Sequence, residues 1–153
     1  MSRFSQEVDQ LLKTAGWYEG RSVPGLVESW QKELERRGGF RLSQAARSAL
    51  NEFGGLHILS KGTGVACARS DLHINPLLVS GEEDRFFSFE CFQRKAVFPL
   101  GEAILGHVFA AIDEDTNVYR VMQEVHHVAN SFEAALENLL LGLGTKLLEE
   151  KAG

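Results

Sequence analysis

Cysteine, long apolar runs and basic charge are all scarce in this chain, and each scarcity closes off a class of protein. Two cysteines in 153 residues, Cys67 and Cys91, allow at most one pairing, unlike the dense framework of a disulfide-stapled domain. Both sit in apolar surroundings, where buried free thiols are expected, and a reducing cytoplasm fits such usage. No stretch approaches the ~18 consecutive apolar residues of a membrane span. The opening Met1-Ser2-Arg3-Phe4-Ser5-Gln6-Glu7 lacks the apolar core of a secretory signal. The expectation is a cytoplasmic protein with no membrane partner. The sequence carries 16 Lys/Arg against 21 Asp/Glu, and the excess acid is concentrated: residues 1–55 carry a net +1 and residues 56–153 a net −6. An acidic half argues against nucleic acid, which selects a basic stripe. It suits either solubility or attraction to a basic partner.

Recognisable catalytic machinery is missing too. There is no Gly-x-Ser-x-Gly elbow and no dinucleotide fingerprint, and Lys61-Gly62-Thr63-Gly64 lacks the residue order of a phosphate loop. The five histidines, His57, His73, His107, His126 and His127, show no i, i+4 pair. His126 and His127 are adjacent, so on a strand they point to opposite faces. A zinc site is not expected from that spacing, and packed or exposed structural histidines are the simpler account. Cys91 lies in an aromatic run, where burial makes a thiol inert. The expectation is therefore no catalytic residue, no metal and no cofactor.

What is present is a sequence of capped helices followed by strands. Ser5 caps a first helix over residues 4–15, with Val8, Leu11, Leu12 and Ala15 at helical spacing and Gly16 at its end. Pro24 opens a second, striped by Leu26, Val27, Trp30 and Leu34 and stopped by Gly38-Gly39. Ser43 caps a third that carries Ala46, Ala49, Leu50 and Phe53 and ends at Gly54-Gly55. The period then changes. Residues 56–59 and 65–68 read as a hairpin around the 60–64 loop, and residues 72–74 as a third short strand closed by Pro76. Residues 82–96 fit two periods. Phe86, Phe89, Phe92 and Ala96 match a helix, whereas Phe87, Phe89 and Cys91 alternate; length and the absence of Gly and Pro favour helix.

Phe98-Pro99-Leu100-Gly101-Glu102 reads as a tight turn. Residues 104–112 read as an apolar strand with His107 its one strongly polar side chain, so both faces must be covered. Asp113-Glu114-Asp115 reads as an acidic turn and residues 118–123 as the returning strand. Residues 125–129 supply another strand. Ser131 caps a last helix that ends at Gly142, and the residues after Thr145 read as a frayed tail. Strands follow helices rather than alternating with them, which predicts one α+β domain: an antiparallel sheet of about five strands flanked by helices.

Exposed consecutive carboxylates on a turn cannot pull their pKa values apart as hydrolytic pairs must. Asp113, Glu114 and Asp115, then Glu82, Glu83 and Asp84, are better suited to meeting cations on a partner. Their alternative role is purely local, as turn chemistry and as negative charge at a helix start. Trp17-Tyr18, just past a helix end, offers an aromatic contact anchor.

Several landmarks fall in a characteristic order: Phe4-Ser5, Ala15-Gly16-Trp17, Trp30, Phe53-Gly54-Gly55-Leu56 and Asn75-Pro76. They continue with Pro99-Leu100-Gly101-Glu102, Asp113-Glu114-Asp115, Val118-Tyr119, Ser131-Phe132, Ala134-Ala135-Leu136 and Gly142. This set resembles the SUKH superfamily, specifically its third subfamily of bacterial immunity proteins, over residues 4–142, with 143–153 a C-terminal tail outside the resemblance. Thr116-Asn117 and Asn130 depart from it, standing where the family more often shows a glycine and a basic residue, and a glycine. The resemblance implies a SUKH-like α+β domain that blocks a cognate toxin by binding it, commonly a nuclease encoded beside it, without catalytic residues or a cofactor. It marks fold positions and assigns no contact surface, so the acidic contacts above rest on charge alone. A non-catalytic adaptor of the wider superfamily and a small histidine-based enzyme are the alternatives. One tight basic partner, many weak partners, or activity lost with a single histidine would separate the three.

Overall fold

In the computed structural model, which describes residues 3–150, three helices precede the sheet. They are α1 (Gln6–Thr14), α2 (Pro24–Arg37) and α3 (Gln44–Phe53). The Ser5 and Ser43 hydroxyls accept the Val8 and Ala46 amides, as their cap positions require. The sheet is formed by β1 (His57–Ile58), β2 (Leu72–His73), β3 (Val97–Ala103), β4 (Val108–Asp113), β5 (Val118–Val121), β6 (Glu124–Ala129) and β7 (Lys146–Glu150). Its seven strands lie in chain order, each antiparallel to the next. Two further helices complete the chain, α4 (Glu83–Phe87) and α5 (Phe132–Leu141), the latter capped by Ser131 and closed by Gly142 in the left-handed region. The α+β architecture is the one expected, with seven strands in place of about five.

Helices cover both faces of the sheet, because the central strands are apolar on both sides. Ala110, Ala111, Ile112 and Asp113 of β4 are all buried. On one face α3 and α5 pack against β4 and β6, and the Phe53 and Phe132 rings meet at 5.0 Å. On the other, Phe86 of α4 meets Phe109 at 6.3 Å and Phe92 meets Tyr119 edge-on at 5.1 Å. Trp17 is buried, with Nε1 donating to Glu52, so only Tyr18 of the expected aromatic anchor is exposed.

The departures from expectation have local causes. Residues 98–102 are strand, not turn. Pro99 has no N–H to give the ladder, and the register shifts between Pro99 and Gly101, a bulge that absorbs it. Gly101 is required there: its φ is +148°, and a Cβ would lie 1.9 Å from the His73 carbonyl oxygen. The apolar strand expected over 104–112 starts only at Val108, because residues 104–107 make the turn instead. The hairpin expected between 56–59 and 65–68 does not form. Leu72–His73 takes the place beside β1, only a Thr63–Ala68 bridge closes the loop, and Val65 and Ala66 donate to the carbonyls of Leu141 and Gly142. That diversion leaves Cys67 exposed rather than buried.

Residues 82–96 break into α4 and a 3₁₀ turn at Glu90–Phe92, divided by the extended Phe89. Helical spacing buries Phe86, Phe89 and Phe92 together, while the extended joint supplies the alternation. The residues expected as a frayed tail pair with β6 as β7. Glu149 of that strand accepts the amides of Glu90 and Cys91, stitching the 3₁₀ turn to the sheet.

Candidate functional site

The acidic residues singled out by charge fall at two separate places. Asp113, Glu114 and Asp115 form the β4–β5 turn. Asp113 is fully buried rather than exposed. Its Oδ1 accepts the amides of Asp115 (2.8 Å) and Asn117 (3.0 Å). Its Oδ2 accepts the Tyr119 hydroxyl (2.6 Å), the Lys95 ammonium (3.1 Å) and the Asn117 side chain (3.3 Å). Burial alone would raise the Asp113 pKa, but the donors from Tyr119, Lys95 and Asn117 prevail and hold the carboxyl below the ordinary carboxylate range. Burial, then the facing carboxylate, pushes the Tyr119 hydroxyl pKa up. Asp113 therefore cannot touch a partner in this geometry; it braces the turn that presents its neighbours. Glu114 and Asp115 are exposed. Glu114 also accepts the Ala96 amide at 3.0 Å, and Asp115 lies 3.8 Å from Lys95.

Glu82, Glu83 and Asp84 open α4. Two of them are occupied: Glu82 accepts from Arg85 at 2.8 Å and Glu83 from Arg37 at 3.2 Å. Asp84 is exposed, without a side-chain ion pair among the described residues. Arg85 also donates to the Met122 carbonyl, placing this cluster beside the β5–β6 turn. Four-residue β5 separates that turn from Asp113–Asn117, roughly 13 Å at about 3.3 Å per strand residue. The two triplets are not one patch.

The first triplet has partners that its sequence neighbourhood does not reveal. Glu114 and Thr116 border an open cleft of about 440 Å³ shared with Ser48 and Glu52 of α3 and Ser131 and Glu133 at the start of α5. The Arg3 guanidinium forks onto Glu52 at 2.7 and 3.1 Å, reaches Glu133 at 3.0 Å and lies 3.7 Å from Glu19. The hydrogen bond to Glu52 leads the interactions that push the Arg3 pKa up. Three carboxylates meet this arginine, and two of them, Glu52 and Glu133, line the cleft with Glu114. Glu52 sits on a helix flank and Glu133 in a helix first turn, positions where an isolated Glu carries no signal in sequence. Only the packing of α3 beside α5 brings them to Glu114.

The histidines do not converge. His57 pairs with Asp71 at 2.9 Å and stacks on His73 with ring centroids 4.3 Å apart. Burial, then the neighbouring His57, lowers the His73 pKa. His126 bridges Thr145 and Glu124, and His127 meets Asn117. Among the described residues no group of three His, Cys, Asp or Glu is arranged to hold a metal ion. Burial, followed by Glu149, pushes the Cys91 thiol pKa up to about 12, which keeps it protonated near neutral pH. Among the same residues, no helix is long and apolar enough to cross a membrane.

Compared with known proteins, the chain matches the family model described as SUKH-3 immunity protein over residues 4–142. No curated protein and no solved structure matches it. The match spans most of the chain, from the ring pair of Phe4 and Trp17 to the Gly142 helix cap. The chain belongs to the SUKH-3 immunity protein family.

Proposed function

We propose that this SUKH-3 family member neutralises a cognate toxin of nuclease type by direct, stoichiometric binding. Membership of an immunity family carries the reading, and the acidic cleft supports its chemistry. A nuclease needs a basic groove to hold phosphates. Carboxylates grouped at Glu114, Glu133 and Glu52 can meet such a groove as phosphates would, with Asp115 projecting beside them. Arg3 fixes Glu52 and Glu133 in place, so they need little ordering when a partner arrives. Asp113 contributes from below by holding the turn. Asp84, with Glu82 and Glu83 behind it, forms a secondary acidic contact.

Complementary fields raise association toward roughly 10⁸–10⁹ M⁻¹s⁻¹ at low salt. The test is co-expression with the toxin domain encoded beside this gene, followed by association kinetics across salt concentrations. Wild type should rescue growth. The Glu114→Lys/Asp115→Lys variant should associate about tenfold more slowly, with a shallower salt dependence. An unchanged rate and salt slope would remove the cleft from the interface. Failure of wild type to rescue or bind would remove the functional reading itself.

A further inference from the structure

The loop between β3 and β4 holds a backbone conformation at odds with its side chains. Ile104, Leu105 and Gly106 have φ of +51°, +52° and +88°, three successive residues of a left-handed turn. The Gly106 amide donates to the Ala103 carbonyl and the His107 amide to that of Ile104. Residues with a Cβ occupy this region at a cost, a β-branched one most of all. Tight hairpin turns with positive φ are ordinarily made by Asn and Gly. Here one position is isoleucine and the next is leucine.

The fold holds the turn through its backbone. The Ile104 amide donates to Ser70 Oγ at 3.0 Å and the Leu105 amide to Asp71 Oδ1 at 2.8 Å. Ser70 and Asp71 are both buried, and the other oxygen of Asp71 meets His57. The Leu105 side chain gains little from this bracket: it is 79% exposed. Leu59 nearby is 63% exposed. With Ile104 and Leu11 they line an open groove of about 620 Å³ whose charged side chains are Lys61, Arg69 and the buried Asp71. Arg69 pairs with Glu7. Lys61 has no ion pair or hydrogen bond among the described residues.

We propose that this left-handed turn is the apolar anchor of the toxin interface, and that its occupant is a toxin segment presenting an apolar side chain with a carboxylate placed to meet Lys61. The proposal rests on the reading of the chain as a toxin binder. Exposed apolar side chains grouped around a groove mark interaction sites, and anchors fixed before binding lose least on association. A turn strained to display leucine, and stiffened by buried acceptors, meets both conditions. Lys61, the cation at its edge without an ion pair among the described residues, selects a partner with a carboxylate beside the apolar group.

The test uses the full chain and the neighbouring toxin domain, with three substitutions. Leu105→Asn removes the anchor while suiting positive φ, so the melting temperature should hold or rise while toxin dissociation accelerates at least about thirtyfold, the change expected of a hot-spot residue. Leu105→Asp should have an equal or larger effect on binding. Lys61→Glu should weaken binding about threefold. Wild-type dissociation from folded Leu105→Asn and Leu105→Asp overturns the proposal and leaves the functional reading standing. So does a wild-type dimer that Leu105→Asp converts to monomer. If the wild type does not bind the toxin at all, the functional reading falls and the proposal with it.

Discussion

Replacing Asp113 tests whether a buried carboxylate organises the acidic turn. In Asp113→Ala the amides of Asp115 and Asn117 and the Lys95 ammonium lose an acceptor but lie near enough to solvent to rehydrate. The Tyr119 hydroxyl does not, since Tyr119 is only 4% exposed. Stranding that donor costs about 1–3 kcal/mol. Loss of the charged hydrogen bonds brings the total to about 3–5 kcal/mol, the range for breaking a buried ionic contact. At about 2–4 °C per kcal/mol for a chain of this size, a loss at the lower end lowers the melting temperature by about 6–12 °C.

The pH dependence follows from the depressed pKa. The folded-state value lies below the unfolded one, so the stabilisation is complete above the unfolded pKa, near 3.9. It disappears as pH falls through the folded value. Urea denaturation of wild type and Asp113→Ala should therefore show a gap that is constant from pH 5 to pH 7 and narrows steadily below about pH 4. Asp113→Asn keeps one oxygen for the turn amides and should fall between the two, with the pH dependence due to this group gone. A gap under about 1 kcal/mol at pH 7, or one undiminished at pH 2, would refute the assignment of a buried, ionised brace.

Other consequences are smaller or simpler. Gly101→Ala places a Cβ 1.9 Å from the His73 carbonyl oxygen at a φ of +148°. It should cost about 4 kcal/mol or more, read as a large drop in urea midpoint or as insoluble expression. Iodoacetamide at pH 8 should modify exposed Cys67 and spare Cys91, whose thiol is held protonated by burial; equal labelling in native protein by mass spectrometry would contradict that environment. Glu149→Ala removes the acceptor of the Glu90 and Cys91 amides, so it should destabilise by about 1–2 kcal/mol in denaturant titration and speed Cys91 modification.

The helical half of the fold was legible because its boundaries are written locally. Ser5, Ser43 and Ser131 are followed by apolar residues at helical spacing, and each cap bond forms as expected. The strands were harder to place because their partners are distant in sequence. Residues 65–68 look like a strand, yet the Leu141 and Gly142 carbonyls at the end of α5 compete for their amides and prevail. Lys146–Glu150 has no alternation to betray it, and its place in the sheet depends on β6 and on the 3₁₀ turn that Glu149 caps. Phe98-Pro99-Leu100 carries a proline, which argues for a turn until the bulge that accommodates it is visible. The candidate site divides in the same way. Glu114 and Asp115 stand out by charge, whereas Glu52 and Glu133 join them only through helix packing, and Leu105 reads as core until the backbone turns left-handed.

The two surfaces proposed for toxin binding share one construction. Each is a turn gripped from beneath by a buried carboxylate through main-chain amides: Asp113 takes those of Asp115 and Asn117, and Asp71 takes that of Leu105. Main-chain N–H groups are present whatever side chain a residue carries, so this grip constrains the path of the turn and leaves the outward side chains at 105 and 115 free to change, whereas Glu114 also holds the Ala96 amide. A binder matched to one toxin needs that separation, because a contact residue that also held the core could not be replaced without loss of stability. At the opposite ends of β4 the two turns also differ in character, one carrying exposed carboxylates and the other exposed leucine. On the proposed reading, charge at the first governs the rate of encounter, and burial at the second governs how long the complex lasts. Partner specificity can then change at either turn while Asp113, Tyr119, Ser70 and Asp71 stay as they are.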